Sequence, residues 1–294
     1  MSAASKSLTL RRQVLRAVGA LPLPLLHALA CLLAGLAILL PNQLRAVSWA
    51  QMRYCLPQSP RREQRRIVWT SLLHSMMAGM ESPALWFGPS SRLQRWLAAP
   101  EATAQLAALL AEGKGLILLC PHWGAWELAG LFVSAHAPIT TLYKPQKGVM
   151  DALILEGRSR LGARLVPTSA TGVKAVVAAL RRGEVVGILP DHDPPEGSGV
   201  YAPFFAQAAH SMDLVTRLAA RTGAPVWFCI AERRAFSGFS IRLIEAPAGI
   251  ADPVAGVAAM NAGVEAIVRA QPRQYWWGYK RYRRRPPGAP DPYR

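Results

Sequence analysis

Acidic residues are scarce in this chain: 17 Asp and Glu stand against 34 Lys and Arg, a formal net charge of +17 over 294 residues. An excess of that size calls for an anionic counterpart, which can be nucleic acid, a lipid headgroup surface or an acidic protein. Cysteine is sparse too. Cys31, Cys55, Cys120 and Cys229 lie far apart and form no C-x-x-C. They offer neither a zinc ligand set nor a disulfide framework, and read as reduced, small buried apolar residues of a cytosol-facing protein. No G-x-S-x-G occurs, so a hydrolase of the nucleophile-elbow type lacks its serine. G-x-G-x-x-G and G-x-x-x-x-G-K-[ST] are missing as well, which removes the usual dinucleotide and nucleotide-phosphate loops. Internal repeats are absent.

Apolar residues, by contrast, are plentiful. They make up 51% of the chain, and the mean hydropathy of +0.16 suits a protein resting partly in lipid. The length allows one large α/β domain or two small ones, with a continuous core. From Ala17 to Leu40 no side chain is charged, His27 being the one polar titratable group, and Pro22 and Pro24 stand near the start. The run after Pro24 is about 16 residues, ~24 Å as a helix, slightly short for a hydrocarbon core of ~30 Å. Arg11, Arg12 and Arg16 precede it and Arg45 and Arg53 follow, so the flanking charges define no orientation. The expectation is an uncleaved N-terminal membrane-anchor helix, residues 1–45, that dips into or crosses the membrane, ahead of a domain over residues 46–294. A cleaved signal peptide and a buried core helix are the competing readings.

Residues 41–66 are polar and rich in Pro and Arg, and read as a linker entering a helix. From Glu63 to Phe87 the spacing of Ile67, Leu72, Leu73, Met76, Met77 and Met80 is helical, and the Met stripe reads as core. After Leu106 short apolar strands alternate with helices. LILLC, ITTLYKP, ARLVP, EVVGILPDHD and PVWFCIAERR are the strands. AQLAALLAEGKG, the segment after PHWG, DALILEGRSRLGA, GVKAVVAALRRG and DLVTRLAARTG are the helices. This alternation predicts an α/β fold with a mostly parallel or mixed central sheet flanked by helices. Ligand sites of such sheets collect beyond the carboxyl ends of the strands. Two polar clusters fall there: PHWGAWE after LILLC, and DHD after VVGIL.

His122 and Glu127 are five residues apart, about 140° around a helix, so they cannot share a helical face. They can meet if His122 ends the strand, Gly124 makes a tight turn and Glu127 opens the next helix. A carboxylate on one imidazole nitrogen fixes the tautomer, and the other nitrogen can then take a proton from an attacking hydroxyl. The bland alternative is a satisfied histidine beside a first-turn Glu acting on the helix dipole. DHD together with His122 could instead ligate a divalent metal, although no further ligand spacing supports it. The tail RYRRRPPGAPDPYR, with Tyr275, Trp276, Trp277, Tyr279 and Tyr282 at or just before it, suits stacking on single-stranded nucleic acid or anchoring at a lipid interface. Beside an apolar N-terminus the lipid reading is preferred, and nucleic acid is not expected as a partner.

The apolar N-terminus is followed in order by PHWGAWE, YKPQKGVMDALILEGRSRLGA, GEVVGILPDHD, the PFF of YAPFF, and QYWWGYKRYRRRPPG. In these blocks the chain resembles, over nearly its whole length, the bacterial lipid A late acyltransferases (lauroyl and myristoyl transferases), which belong to the wider glycerolipid acyltransferase group with an H-x-x-x-x-D/E motif. The resemblance implies that His122 is the catalytic base and Glu127 its orienting acid. It places Lys144 and Arg158 near an acceptor phosphate or the active site, and matches Asp191 and Asp193 to a family D-Q-D, here with His192 in the middle. The sequence departs from the family at Trp123, often Phe, at Ala125, usually Asn, and at Tyr279, often His. Implied for the chemistry is direct transfer, without an acyl-enzyme, from an acyl-acyl carrier protein (or acyl-CoA) to the hydroxyl of a 3-hydroxyacyl chain on a lipid A precursor. No metal or organic cofactor is called for, and the setting is the inner membrane with the catalytic domain facing the cytoplasm. Another membrane glycolipid or phospholipid as acceptor, or a non-catalytic protein that binds anionic lipid, are the alternatives.

Overall fold

The computed structural model describes residues 3–146 and 148–294, with side chains from Ser7 onward. Lys147 of the YKPQKG block and residues 1 and 2 of the expected anchor lie outside the described residues. The N-terminal part is helical: α1 (Ala3–Ala20), α2 (Leu23–Leu39), α3 (Gln43–Cys55), α4 (Arg61–Phe87), α5 (Ser90–Leu97) and α6 (Pro100–Ala111). The alternating part follows: β1 (Leu116–Leu119), α7 (Trp126–His136), β2 (Ile139–Tyr143), α8 (Val149–Arg158), β3 (Arg164–Pro167), α9 (Ala170–Arg181) and β4 (Val185–Ile188). A hairpin of β5 (Val200–Phe204) and β6 (Gln207–Ser211) leads to α10 (Leu214–Thr222), β7 (Val226–Arg234), β8 (Gly238–Glu245) and α11 (Gly256–Ala270).

Six strands form one sheet in the order β3-β2-β4-β1-β7-β8. All neighbours are parallel except β7 and β8, which pair antiparallel as a hairpin. The expected mixed α/β sheet is therefore present. β1 lies at its centre with all four residues buried. Ile117 and Leu119 enter the core on one face, Leu116 and Leu118 the core on the other. A strand buried on both faces has no polar side to alternate with, which is why LILL reads as a continuous apolar run.

The charge-free N-terminal run is not one helix. α1 and α2 meet at a bend of 109°, and no single helix among the described residues is long and apolar enough to cross a membrane. Pro22 and Pro24 sit at the break, at the N-cap and in the first turn of α2, where a missing backbone N–H costs no helical hydrogen bond. Leu23, Leu26, His27, Ala30 and Ala34 of α2 are buried. Their spacing makes one stripe, and α2 packs along α4. The rest of the helix leaves Leu25, Leu32, Leu33, Leu36 and Leu39 exposed.

The passage expected as a linker contains α3, and the boundary expected after residue 45 falls inside that helix. Asn42 caps it, accepting the Arg45 N–H at 2.9 Å. Of the expected α4 stripe, Ile67, Leu72 and Met77 are buried, while Leu73, Met76 and Met80 are only partly so.

The start of the basic C-terminal tail and the aromatic block before it are partly interior. Tyr275, Trp277, Arg281 and Tyr282 are all 4% exposed or less. Arg281 is buried because its N–H groups meet the His210 carbonyl and the Ser211 hydroxyl, and its backbone N–H meets the Gln51 side chain on α3. Three of the aromatic rings expected for stacking or lipid anchoring, Tyr275, Trp277 and Tyr282, instead fill the core.

The β5–β6 turn holds two non-glycine residues in the left-handed region, Phe205 at φ 50° and Ala206 at φ 59°. Phe205 is buried and its N–H is held by the Glu265 carboxylate at 2.6 Å. Exposed Ala206 carries the conformational penalty without that compensation. Ala206→Gly should therefore stabilise the fold by about 1 kcal/mol, raising Tm by ~2 °C at this size. An unchanged or lowered Tm in a calorimetric scan would refute the strain.

Candidate active site

His122 follows β1 by three residues and is 6% exposed. The chain then turns at Gly124 (φ 61°), where a Cβ would meet the Ala231 carbonyl oxygen at 2.2 Å, and enters α7 at Trp126. This is the strand–turn–helix that the sequence predicts. β4 lies beside β1 in the sheet, and three residues beyond its end stands Asp191. One Asp191 oxygen faces His122 Nδ1 at 2.8 Å, and the other accepts the His122 backbone N–H at 2.9 Å. Burial pushes the Asp191 carboxyl up, but the charge and hydrogen bonds of His122 outweigh it and hold the group down to about 2. With Nδ1–H donated to a carboxylate, Nε2 is left as the basic nitrogen.

The carboxylate on the histidine is thus Asp191, not Glu127. Glu127 faces another way. Its oxygens accept Arg158 Nε at 3.0 and 3.2 Å and a second Arg158 N–H, and Trp86 Nε1 at 3.2 Å. Five residues of chain bring Glu127 close to the His122 turn but onto the α8 side of α7, where Arg158 ends α8. Gly157 makes this approach possible, since a Cβ there would meet Trp86 at 2.3 Å. Arg158, expected at an acceptor phosphate, spends its fork on Glu127 and leaves 31% of its side chain exposed.

The other expected residues separate. Asp193 is closed off: its carboxylate accepts His210 Nδ1 at 2.9 Å and Arg284 at 2.6 Å, and its backbone N–H donates to the Tyr279 hydroxyl at 2.8 Å. It ties the C-terminal tail down and has no free oxygen for substrate. Asp191 and Asp193 therefore diverge, and no group of three His, Cys, Asp or Glu among the described residues is placed to hold a metal ion. Lys144 is exposed just after β2, without a side-chain partner among the described residues. Cys55 and Cys229 are buried as expected, whereas Cys31 and Cys120 are partly exposed.

Sequence reasoning missed the ring box around His122. Trp126 and Trp276 lie with centroids 5.3 Å away and His192 at 4.2 Å, and Tyr279 sits 5.0 Å beyond His192. Trp276 also donates its backbone N–H to the His122 carbonyl at 3.0 Å. The signal was present in the WW of the last block, but nothing in the spacing says that the tail returns to β1. Beside this box, Leu131, Ile139, Leu165, Ile188 and Leu189 line an apolar slot that also touches Cys120, Trp126, Glu127 and Arg158.

Two half-buried imidazoles are kept neutral. His192 is pushed down to about 4 by burial and by the neighbouring His122, and His74 to about 3 by burial and by Arg233. An unfolded chain protonates both near pH 6.5, so their contribution to stability is complete above that pH and is lost as pH falls toward 4. Asp191 contributes a loss only below its ordinary value of 3.8, outside this window. Tm is expected to fall steadily from pH 7 to 4.5, with a shallower slope for His192→Gln. An unchanged slope in the variant would contradict this assignment.

The chain is 28% identical to the lipid A biosynthesis lauroyltransferase of Escherichia coli K12 over 285 residues, 95% of this chain and 92% of that protein. It is 25% identical to the lipid A biosynthesis palmitoleoyltransferase of the same organism over 277 residues, 93% and 90% of the two chains. A phosphatidylinositol mannoside acyltransferase of Mycobacterium tuberculosis shares 30% identity over 135 residues, 42% of each chain. Residues 7–284 match the family of bacterial lipid A biosynthesis acyltransferases, and the protein is an acyltransferase that belongs to that family.

Proposed function

We propose that this acyltransferase moves a fatty acyl chain from an acyl thioester, acyl-acyl carrier protein or acyl-CoA, to the hydroxyl of a 3-hydroxyacyl chain on a lipid A precursor. The observation that carries the reading is the Asp191 grip on His122, which leaves Nε2 as a general base beside an apolar slot. The acceptor hydroxyl gives its proton to Nε2 as its oxygen attacks the thioester carbonyl. The tetrahedral intermediate collapses to the ester, expelling the thiolate, which takes the proton back from His122. No acyl-enzyme and no cofactor are needed. The slot is apolar but narrow, and the ring box shields the reacting atoms from water.

Lys144 and Arg158 are the cations offered to acceptor phosphates, one exposed and one partly so. Glu127 acts through Arg158 by fixing the plane of its fork. The setting is the cytoplasmic face of the inner membrane. Leu32, Leu36 and Leu39 on α2, with Leu10 and Val14 on α1, are exposed apolar side chains beside Arg11 and Arg16, an arrangement suited to an interface carrying anionic headgroups.

His122→Ala should lower transfer by ~10²–10⁴-fold in protein that still folds, with a lower Tm because Asp191 loses its partner. Mass spectrometry of lipid A from cells expressing the variant should lack the one-acyl mass increment that the wild type adds. An unchanged lipid A in wild-type cells would overturn the acceptor, and full activity of folded His122→Ala would overturn the base.

Cys120 borders the slot and is the thiol best placed to mimic a nucleophile. Direct transfer predicts that Cys120→Ala keeps turnover within about twofold and that quenched reactions contain no acylated protein. Loss of ~10²-fold or more with an acylated wild-type peptide at Cys120 would replace direct transfer by a two-step route.

A further inference from the structure

The turn that aims His122 is held from behind by a buried arginine. Arg233, near the end of β7, has a side chain with no exposed surface. One of its terminal N–H groups donates to the Gly124 carbonyl at 2.9 Å. The same fork grips both oxygens of Glu81 on α4, and another terminal nitrogen faces His74 Nδ1 at 3.2 Å. Glu81 also takes His27 Nε2 of α2 at 2.7 Å, and His27 Nδ1 accepts the Phe236 N–H of the β7–β8 turn at 2.8 Å. Burial would push the Glu81 carboxyl up, but Arg233 and His27 more than reverse it, so the pair is ionised inside the fold.

The remaining backbone groups of the turn are tied down as well. The Gly124 N–H donates to the Gln274 carbonyl at 3.0 Å and the Ala125 N–H to the Ala231 carbonyl at 2.8 Å. Gln274 in turn exchanges two hydrogen bonds with the Arg233 backbone, at 2.9 and 3.0 Å. Gly124 lies two residues from His122, so a shift at its carbonyl moves the imidazole, and a misplacement of ~1 Å at a reacting group can cost ~10²-fold in rate. Burying an ion pair is a poor way to gain stability alone, because an apolar pair of similar volume does as well. The arrangement is explained if its use is placement.

We infer that Arg233 is a positioning residue that sets the catalytic turn through the Gly124 carbonyl, and that Glu81 and His27 make this setting depend on the docking of the apolar helix α2. The inference rests on the acyl-transfer reading for its kinetic consequence. It also gives α2 a role besides offering leucines to lipid: its seating on α4 is one of the supports of the turn. His27 is the one polar residue of the otherwise apolar run, and it is fully buried against Glu81.

The test is made on the full chain in detergent, with two readouts for each variant. The first is transfer kinetics per folded molecule, and the second is hydrogen exchange of the peptide spanning residues 120–126. Arg233→Met should lower kcat by ~10–100-fold, with KM for donor and acceptor within about twofold, and should speed exchange at the turn while β1 stays protected. Arg233→Lys, which retains a donor for Gly124, should recover part of kcat. His27→Leu should show the same pattern more weakly. If Arg233→Met leaves Glu81 unpaired and the protein unfolded, Glu81→Gln/Arg233→Met, which buries no charge, takes its place under the same criteria. Unchanged kcat and unchanged exchange, or a loss confined to KM, overturns the inference. A wild type that transfers no acyl group, with exchange still faster in Arg233→Met, overturns the functional reading and leaves the positioning role standing.

Discussion

Asp191 commits both of its oxygens to one residue, one to the ring and one to the backbone N–H of His122. A carboxylate so engaged fixes where the histidine sits and which nitrogen bears the proton, two requirements that a general base must meet together. The geometry exists only because β1 and β4 are sheet neighbours. Leu119 pairs with Ile188, so the two chains leave the sheet side by side and their first polar residues converge. Both strands are buried on both faces, which leaves little freedom for the register to slip. A slip of one residue would turn every side chain to the opposite face.

Around this pair the protein closes a shell drawn from distant parts of the chain. The C-terminal segment bonds its Trp276 N–H to the His122 carbonyl and lays the Trp276 ring beside the imidazole. Asp193, two residues past Asp191, holds that segment through Tyr279 and Arg284. The D-H-D block therefore does two jobs with one turn of chain. Its first carboxylate orients the histidine, its second secures the tail that roofs the site, and His192 between them lies tilted against the His122 ring. The positive charge of the tail is partly consumed in this work, since Arg281 and Arg284 are bound internally.

The central sheet and the place of the site were legible in the sequence for a physical reason. Runs such as LILL and VVGI are apolar on both faces, and Gly-punctuated helices separate them. The strand order was not legible. β1 and β4 are separated in the chain by two strands and three helices, and no local pattern states which carboxylate a crossover brings to His122. Glu127, close in sequence, was the natural candidate, yet the turn at Gly124 sends it to Arg158. α3 was hidden because its buried face includes Ser48 and Gln51, so polar residues occupy positions that periodicity assigns to solvent. The tail misled for the opposite reason. Arginines and aromatic rings read as surface, but Arg281 finds acceptors in the interior and carries Tyr282 in with it. The bend between α1 and α2 at Pro22 and Pro24 was not part of the expected single anchor helix, and the docking of α2 on α4 depends on a Glu81 more than fifty residues away.

Which carboxylate governs the histidine decides how this site works, and ¹⁵N NMR of selectively labelled histidine rings reads it directly. In the wild type the His122 signals should report Nδ1 protonated and Nε2 free at neutral pH, with a strongly downfield Nδ1–H. Asp191→Asn should abolish that downfield proton and redistribute the tautomer, and Glu127→Gln should leave both in place. If Glu127→Gln removes the downfield proton while Asp191→Asn preserves it, Glu127 is the orienting acid and the site described here is wrong.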